Sequence, residues 1–483
     1  MQTRVSSHGR RSAGRLRATW QVGSALLVAL GLPACGIILG IEDGILRDGG
    51  TQDAGHVRDA RGDRDGGTDV GTPPDTGERD AGHIGSGDAS ALPDGTFPPG
   101  AVYVSPQGTD SAGCGGSVNT PCRTIQTGIV NAEGSMKGSV VIAPGTYTET
   151  LTLMGRIQLL GPGDAGAVTV VGAGNQTVVA TLLERPVLLA NLTIRSKPEA
   201  GPGESLYGVF ASENTALLEL DNVRIVIASS GSGAPGGNGV TGATSSGACQ
   251  AGSGADGGGG SGGMSAVAGG FTASGYEPAS GITGGDGGTG ANGSAASTPP
   301  CAQCFTCNQN FPLCTTSGMV ASSCGGSGTA GCGGGGGGGG RAGSGGGSSV
   351  ALFLWNTAAF VDRGRYQAGS GGNGGSGGPG GPGGPGGAGA SGLAGSGCTV
   401  NCFDNAKLAC GNEGQGAEGA PGGNGGSGGP GGPGGGGAGG SSYGVYIGGT
   451  ATMTNESAVF IAEDAGAGAL GAPSGQAAAE GPL

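Results

Sequence analysis

The chain is poor in the residues that fill a protein core and in those that do chemistry. Aromatics make up 4% and charged residues 11% of its 483 positions. So thin a supply of large apolar side chains excludes one large ordinary globular domain. Histidine is scarcer still: His8, His56 and His83 are the whole complement. Beyond residue 100 there is no histidine for a catalytic triad or for imidazole acid–base work. The formal net charge is −13, so a basic surface for nucleic acid or anionic lipid is lacking too. The apolar run from Val22 to Leu32 is too short for a membrane span. What the chain has instead is glycine, 123 residues of it, and 13 cysteines.

The first twenty residues carry Arg4, Arg10, Arg11, Arg15 and Arg17 and no acid. A basic start, a short apolar run and small residues before a cleavage point make an export signal. Leu32-Pro33-Ala34-Cys35 resembles the bacterial lipobox. That resemblance implies cleavage after residue 34 and a diacylglyceryl group on the Cys35 thiol. Lipid chains contribute roughly 0.8 kcal/mol per buried methylene, so two or three of them anchor firmly. The expected location is the bacterial envelope, at the outer membrane or cell surface. Residues 35–100 are the lipidated N-terminus and a tether; from Glu42 to Gly100 the chain is Asp, Gly, Arg, Thr and Pro with few apolar residues, and it cannot bury enough surface to offset its own entropy. Its Asp-Gly pairs lack the ligand spacing of a calcium loop, and Arg61-Gly62-Asp63 is expected by composition there.

From Ala101 the texture changes. Val102-Tyr103-Val104 reads as a strand, Ile125, Ile129 and Val130 as one face of a short helix, and Val140 to Tyr147 as a strand broken by Pro144-Gly145. The order of Ser105-Pro106-Gln107-Gly108-Thr109-Asp110, Asn119-Thr120-Pro121-Cys122-Arg123-Thr124-Ile125-Gln126 and Ala143-Pro144-Gly145-Thr146-Tyr147 resembles the start of pectin-lyase-like right-handed parallel β-helix proteins. More narrowly, it resembles the DUF1565 family of bacterial surface proteins. The resemblance covers about residues 102–160 and implies an all-β solenoid whose first coil is capped by the helix. Cys114 and Cys122 depart from the family pattern and are expected to bridge across the loop.

Short apolar strands with turns between them continue to Leu189, as a solenoid requires. Three distant segments then share one pattern: 207–227, 349–367 and 443–461, each with a Thr-Ala step, Thr215-Ala216, Thr357-Ala358 and Thr450-Ala451. They are expected to be successive rungs, the first two with Asp221 and Asp362 at a turn and the third with Asn455. The organisation is thus a signal (1–34), a tether (35–100), a β-helix start (101–230), a first arm (231–347), a rung (348–368), a second arm (369–440), a rung (441–465) and an Ala/Gly-rich tail (466–483).

The second arm goes out over 369–397 and returns over 411–440, legs of 29 and 30 residues around Cys398, Cys402 and Cys410. Matched legs suggest a hairpin. Gly-Gly-X with Pro at X has the three-residue period of polyproline II helices, and bare faces would let polyglycine II helices bond backbone to backbone. A disordered loop is the alternative that composition alone favours.

The first arm carries Cys249, Cys301, Cys304, Cys307, Cys314, Cys324 and Cys332. In an oxidising compartment disulfides are expected. The Cys301-Cys304-Cys307 spacing has no nearby histidine and does not fit a ferredoxin, so no metal or other cofactor is called for. Seven and three are both odd, so either one bridge joins the arms or each keeps a free thiol. The remaining site candidates are Asp221 with Arg224, and Asp362 with Arg363 and Arg365, charges placed to stack on adjacent rungs. They are expected to face solvent as turn residues. The function expected is a non-enzymatic surface lipoprotein with a structural, adhesive or carbohydrate-binding role and surface polysaccharide as partner. The competing expectation is a polysaccharide lyase or hydrolase that uses those charges on acidic glycans.

Overall fold

The computed structural model describes Pro98 and residues 100–299, 302–307, 316–395 and 417–482, with backbone alone at 302–307 and 316–323. The chain divides at Gly77/Glu78, and the first unit lies wholly outside the described residues. So do the signal, Cys35 and most of the tether.

The fold is all-β with two large parallel sheets and one short helix. The chain enters as β1 (Val102–Val104), crosses helix α1 (Ile125–Gly134), and then makes repeated passes. The first pass is β2 (Ser139–Ile142), β3 (Gly145–Thr148) and β4 (Leu151–Thr152). The next is β5 (Gln158–Leu160), β6 (Val168–Val171) and β7 (Gln176–Thr181), and the next β8 (Val187–Ala190), β9 (Thr193–Arg195) and β10 (Leu206–Ser212). β11 (Leu218–Val226) pairs with both β8 and β9, so one bent strand does the work of two.

Short antiparallel pieces follow in the first arm: β12 (Ala248–Cys249), β13 (Gly270–Thr272), β14 (Gly275–Glu277), β15 (Ala302–Cys307), β16 (Thr316–Ser323) and β17 (Ala330–Gly331). The passes resume with β18 (Ser349–Trp355), β19 (Ala358–Gln367) and β20 (Ser442–Gly448), then β21 (Thr452–Asn455), β22 (Val459–Ile461) and β23 (Ala477–Gly481). One sheet runs β23-β20-β18-β10-β7-β4; the other holds β11 and β19 with their neighbours.

The three look-alike segments do lie side by side. Tyr207 pairs with Val350 and Val350 with Tyr443, all parallel. Alternation explains the burial: Leu218, Leu220, Val223 and Ile225 are all fully buried in one core with Leu189, Val209 and Leu352. Two details differ from expectation. Asn455 pairs with Val361 rather than with Asp362. Val130 is 50% exposed, and the inward helix face is Ile125, Gly128, Ile129 and Ala132. The helix sits so close that a Cβ on Gly128 would lie 2.5 Å from Val104 Cγ2.

Three inserts interrupt the passes, and all leave at one corner. They run from β11 to β18, from β19 to β20 and from β22 to β23. Neighbouring strands are about 4.8 Å apart, whereas a side-chain-bearing α-helix needs about 10 Å. Segments leaving one above another at strand spacing can stay parallel only if the facing sides carry no side chains. That is the physical demand that the glycine answers.

Candidate functional site

The inserts form one hydrogen-bonded body. Gly372, Gly375, Gly378, Gly381 and Gly384 donate to the carbonyls of Gly347, Ser344, Arg341, Gly338 and Gly335. In the second arm, Gly425, Gly428, Gly431, Gly434, Gly437 and Gly440 donate back to Gly387, Gly384, Gly381, Gly378, Gly375 and Gly372, so its two legs are antiparallel partners. The three-residue period is that of the polyproline II family. The first arm makes four passes, at 231–245, 252–266, 281–293 and 331–347, and each bonds to others by the same rule. Even the tail joins: Gly466 donates to Gly440, and Gly374 to Ala467. The described legs are thus bonded backbone to backbone along their length.

Position in the body dictates composition. Pro379, Pro382 and Pro385 are exposed, while Gly378, Gly381 and Gly384 beside them are buried. Proline suits the outward position because it lacks the N–H that would have no partner there and its φ matches. The run Gly333–Gly340 carries no side chain at all. Its leg has neighbours on every side: Gly335 and Gly338 donate to Ala243 and Val240, Gly334 and Gly337 to Gly426 and Gly429, and Gly339 to the Asp286 carboxylate.

The corner where the inserts leave is lined by small hydroxyl residues. Ser349 Oγ donates to Ala228 O and accepts from Gly369 N; Ser442 Oγ donates to Gly369 O and accepts from Glu463 N. Ser230 Oγ donates to Gly347 O and accepts from Gly372 N. These serines satisfy the buried backbone groups where ladder turns into arm. Sequence reasoning passed over them, although each arm returns through a Ser-Ser pair, Ser348-Ser349 and Ser441-Ser442.

The cysteines divide between described and undescribed parts. Cys114 and Cys122 form a disulfide, and so do Cys249 and Cys332. The second bridge lies within the first arm, at the end far from the sheets. Cys324 is also disulfide-bonded. Cys301, Cys314, Cys398, Cys402 and Cys410 lie outside the described residues, and only the backbone of Cys304 and Cys307 is described. Among the described residues no group of His, Cys, Asp and Glu could hold a metal ion, and no helix is long and apolar enough to cross a membrane.

The charged candidates are brought together, but not as expected. Asp221 pairs in register with Asp362, and Arg224 with Arg365. Arg224 and Arg365 are exposed. Asp221 does not face solvent: it is 3% exposed. The chain bends inside the strands, with Asn222 at φ 51° and Arg363 at φ 45°, and this tucks Asp221 beneath the next pass. Arg363 Nη2 donates to both Asp221 oxygens at 2.5 and 2.7 Å, and its Nε lies 3.3 Å from Asp362. Hydrogen bonding to Asp221 holds the guanidinium above its ordinary pKa. Ser457 Oγ donates to Asp362. The carboxylates are thus tied to groups on adjacent passes, an arrangement suited to fastening the bend. Below them Tyr366 is fully buried, and burial pushes its phenol well above the usual range.

At the other end two carboxylates cap α1. Glu149 accepts from Ile125 N and Gln126 N, each at 2.9 Å, and Asp110 accepts from Arg123 N, Thr124 N and Thr124 Oγ1. Burial, helped by the nearby Asp110 charge, raises the Glu149 pKa on balance, although those two N–H groups pull it down. For Asp110 burial also pushes upward, but the hydrogen bonds from Thr124 and Arg123 prevail and the net shift is downward.

One aromatic site went unseen in the sequence. On the outer face of the β10–β18–β20 sheet, Phe210, Phe353 and Tyr446 stack with centroids 4.7 and 5.7 Å apart. The β13–β14 hairpin folds back over them, Phe271 stacking on Tyr446 at 3.9 Å. Tyr276 N donates to Tyr207 Oη and Ser212 Oγ to Ala273 O. Between this hairpin and the β23 segment opens a cleft of 200 Å³ lined by Phe271, Tyr276, Tyr443, Tyr446, Ser474 and Gln476, among others. The walls come from residues up to two hundred positions apart, and no local motif announces them. No protein-family model matches the chain, and no curated protein or solved structure matches it either.

Proposed function

We propose that this is a lipid-anchored, non-enzymatic module of the bacterial cell surface, built to project and make adhesive contact. In this reading the parallel sheets are a right-handed β-helix of the pectin-lyase-like, DUF1565-like kind, and the arms are a polyglycine II bundle grown from its flank. The observation that carries it is the bundle itself: three inserts of very different length leave one corner and knit into a single backbone-bonded body. Such a body has few groups for chemistry and much for stiffness and reach. A leg of fifteen residues at about 3.1 Å each extends roughly 45 Å. Export and the Cys35 lipid would hold this object on the outer membrane, and envelope or foreign-surface polysaccharide is the partner class.

The test uses intact cells. Cells that make the protein, the Cys35→Ala variant or none are compared for attachment to polysaccharide-coated surfaces, with protease shaving to read exposure. Attachment and shaving should both require Cys35. Equal attachment by all three strains would overturn the reading. Unsaturated or reducing-end products from acidic polysaccharides, lost in Asp221→Ala, would favour an enzyme instead.

A further inference from the structure

The cleft between the β13–β14 hairpin and the β23 segment has chemistry of its own. No Asp, Glu, Lys, Arg or His is among its lining residues. Its inner wall is aromatic, Phe271, Tyr443 and Tyr446, and its rim carries the exposed Ser474 and Gln476. Tyr443 Oη donates to Gln476 Oε1 at 2.7 Å, which holds the amide by its oxygen; the amide's remaining hydrogen-bonding groups are its two Nε2–H donors. We propose that this cleft binds one neutral pyranose unit of a surface glycan, an inference that rests on the adhesive reading and names its ligand.

Three features select that class. A pyranose has an apolar face and a rim of hydroxyls, and an aromatic wall beside a fixed amide and a serine hydroxyl complements both. The volume of 200 Å³ falls below the roughly 300 Å³ at which drug-sized pockets begin, so it suits one ring rather than a chain of them. The lining offers no cation, so a uronic acid carboxylate would lose its water with no opposite charge in return. Phe271 is also placed on a strap that is fastened elsewhere, at Tyr207 and Ser212, so its ring can be varied without detaching the hairpin.

The full lipoprotein, in a zwitterionic detergent without sugar head groups, is titrated with methyl glycosides of neutral hexoses by calorimetry. Methyl glucuronide serves as the charged control. At least one neutral glycoside should bind with Kd of about 1 mM, as expected for so small a ligand, and the glucuronide at least about tenfold more weakly. Gln476→Ala, an exposed change, and Phe271→Leu should each weaken binding about tenfold, whereas Asp221→Asn should not. Absence of binding by every neutral glycoside, or a Kd unmoved by both cleft variants, would overturn the proposal. The cell-attachment assay separates the two claims. If attachment needs the protein but no glycoside binds, the cleft assignment alone falls. If a glycoside binds at the cleft but attachment is unchanged without the protein, the adhesive reading falls and the site stands.

Discussion

Arg363 reaches across 142 residues of sequence to hold both carboxylate oxygens of Asp221. It does so from a left-handed backbone, φ 45°, a conformation unfavourable for a long side chain by roughly 1–2 kcal/mol. In the two preceding passes the same bend is made by Asn191 and Asn222, at φ 57° and 51°, with Asn222 Nδ2 donating to Asn191 Oδ1. Asparagine tolerates that geometry and arginine does not, so the ion pair is the compensating gain. Asp221 is buried while the Arg363 side chain is 44% exposed, and solvent screening discounts the pair. Asp221→Asn should therefore lower stability by about 1–2 kcal/mol. A double-mutant cycle with Arg363→Met, read by urea denaturation, should assign most of that loss to the pair. A coupling indistinguishable from zero would mean that the bend is held by its backbone alone.

The glycine bundle makes a sharper demand. A Cβ on Gly381 would fall well inside contact distance of the Val240 carbonyl oxygen, which the same body holds rigidly. The neighbouring Pro382 is exposed. Gly381→Ala should destabilise the bundle by at least about 2 kcal/mol, whereas Pro382→Ala should lose no more than about 1 kcal/mol, mainly through the freer unfolded chain. Hydrogen exchange at glycine amides along the legs would report it. Equal effects of the two changes would remove the case for close-packed legs.

How much of this could be read in advance follows from where the information sits. Strand alternation and the Thr-Ala steps are local, so the side-by-side placement of Tyr207, Val350 and Tyr443 was legible across more than two hundred residues. The matched legs of the second arm likewise announced their antiparallel pairing. The fate of Asp221 was not legible, because a bend inside a continuous strand looks in sequence like a solvent-facing turn. Nor was the course of the first arm. When side chains are absent, 252–266 and 281–293 carry no label that says which leg each will bond. The cleft was hidden for a third reason: Phe271, Tyr446 and Gln476 meet only after the arm, the last full strand and the tail are all in place.

The cap of α1 sets a pH signature with two opposed limbs. Asp110 has its pKa lowered in the folded chain. The stability it supplies is complete above the ordinary aspartate value, about 3.9, and is lost as pH falls through the lowered one. Glu149 has its pKa raised, chiefly by burial. Its contribution is complete below the ordinary glutamate value, about 4.3, and is lost as pH rises through the raised one. Asp110→Asn should flatten the acid limb of a Tm–pH profile, and Glu149→Gln the decline just above it. An unchanged acid limb in Asp110→Asn would place the acid sensitivity elsewhere.

The Cys249–Cys332 bridge closes the first arm at its far end, its two cysteines 83 positions apart in sequence. The legs inside that loop, 252–266 and 281–293, are rich in glycine, the residue that loses most entropy on ordering. Loop closure in the unfolded chain is therefore where the bridge acts most strongly, and its stabilisation should be about 2–4 kcal/mol. Cys114–Cys122 spans only 8 residues at the opposite end and constrains less chain, so removing it should matter less to the bundle. Replacing Cys249 and Cys332 by serine should therefore speed hydrogen exchange along the first-arm legs. The amides of β10, β18 and β20, which lie in a sheet with its own apolar core, should keep their protection. The same change at Cys114 and Cys122 should leave the arm amides unmoved. Peptide mapping without reduction comes first: a Cys249 peptide linked to any cysteine other than Cys332 would break the argument at its first step. Exchange that rises equally in the sheet strands and in the arm would show that the bundle and the sheets unfold as one unit.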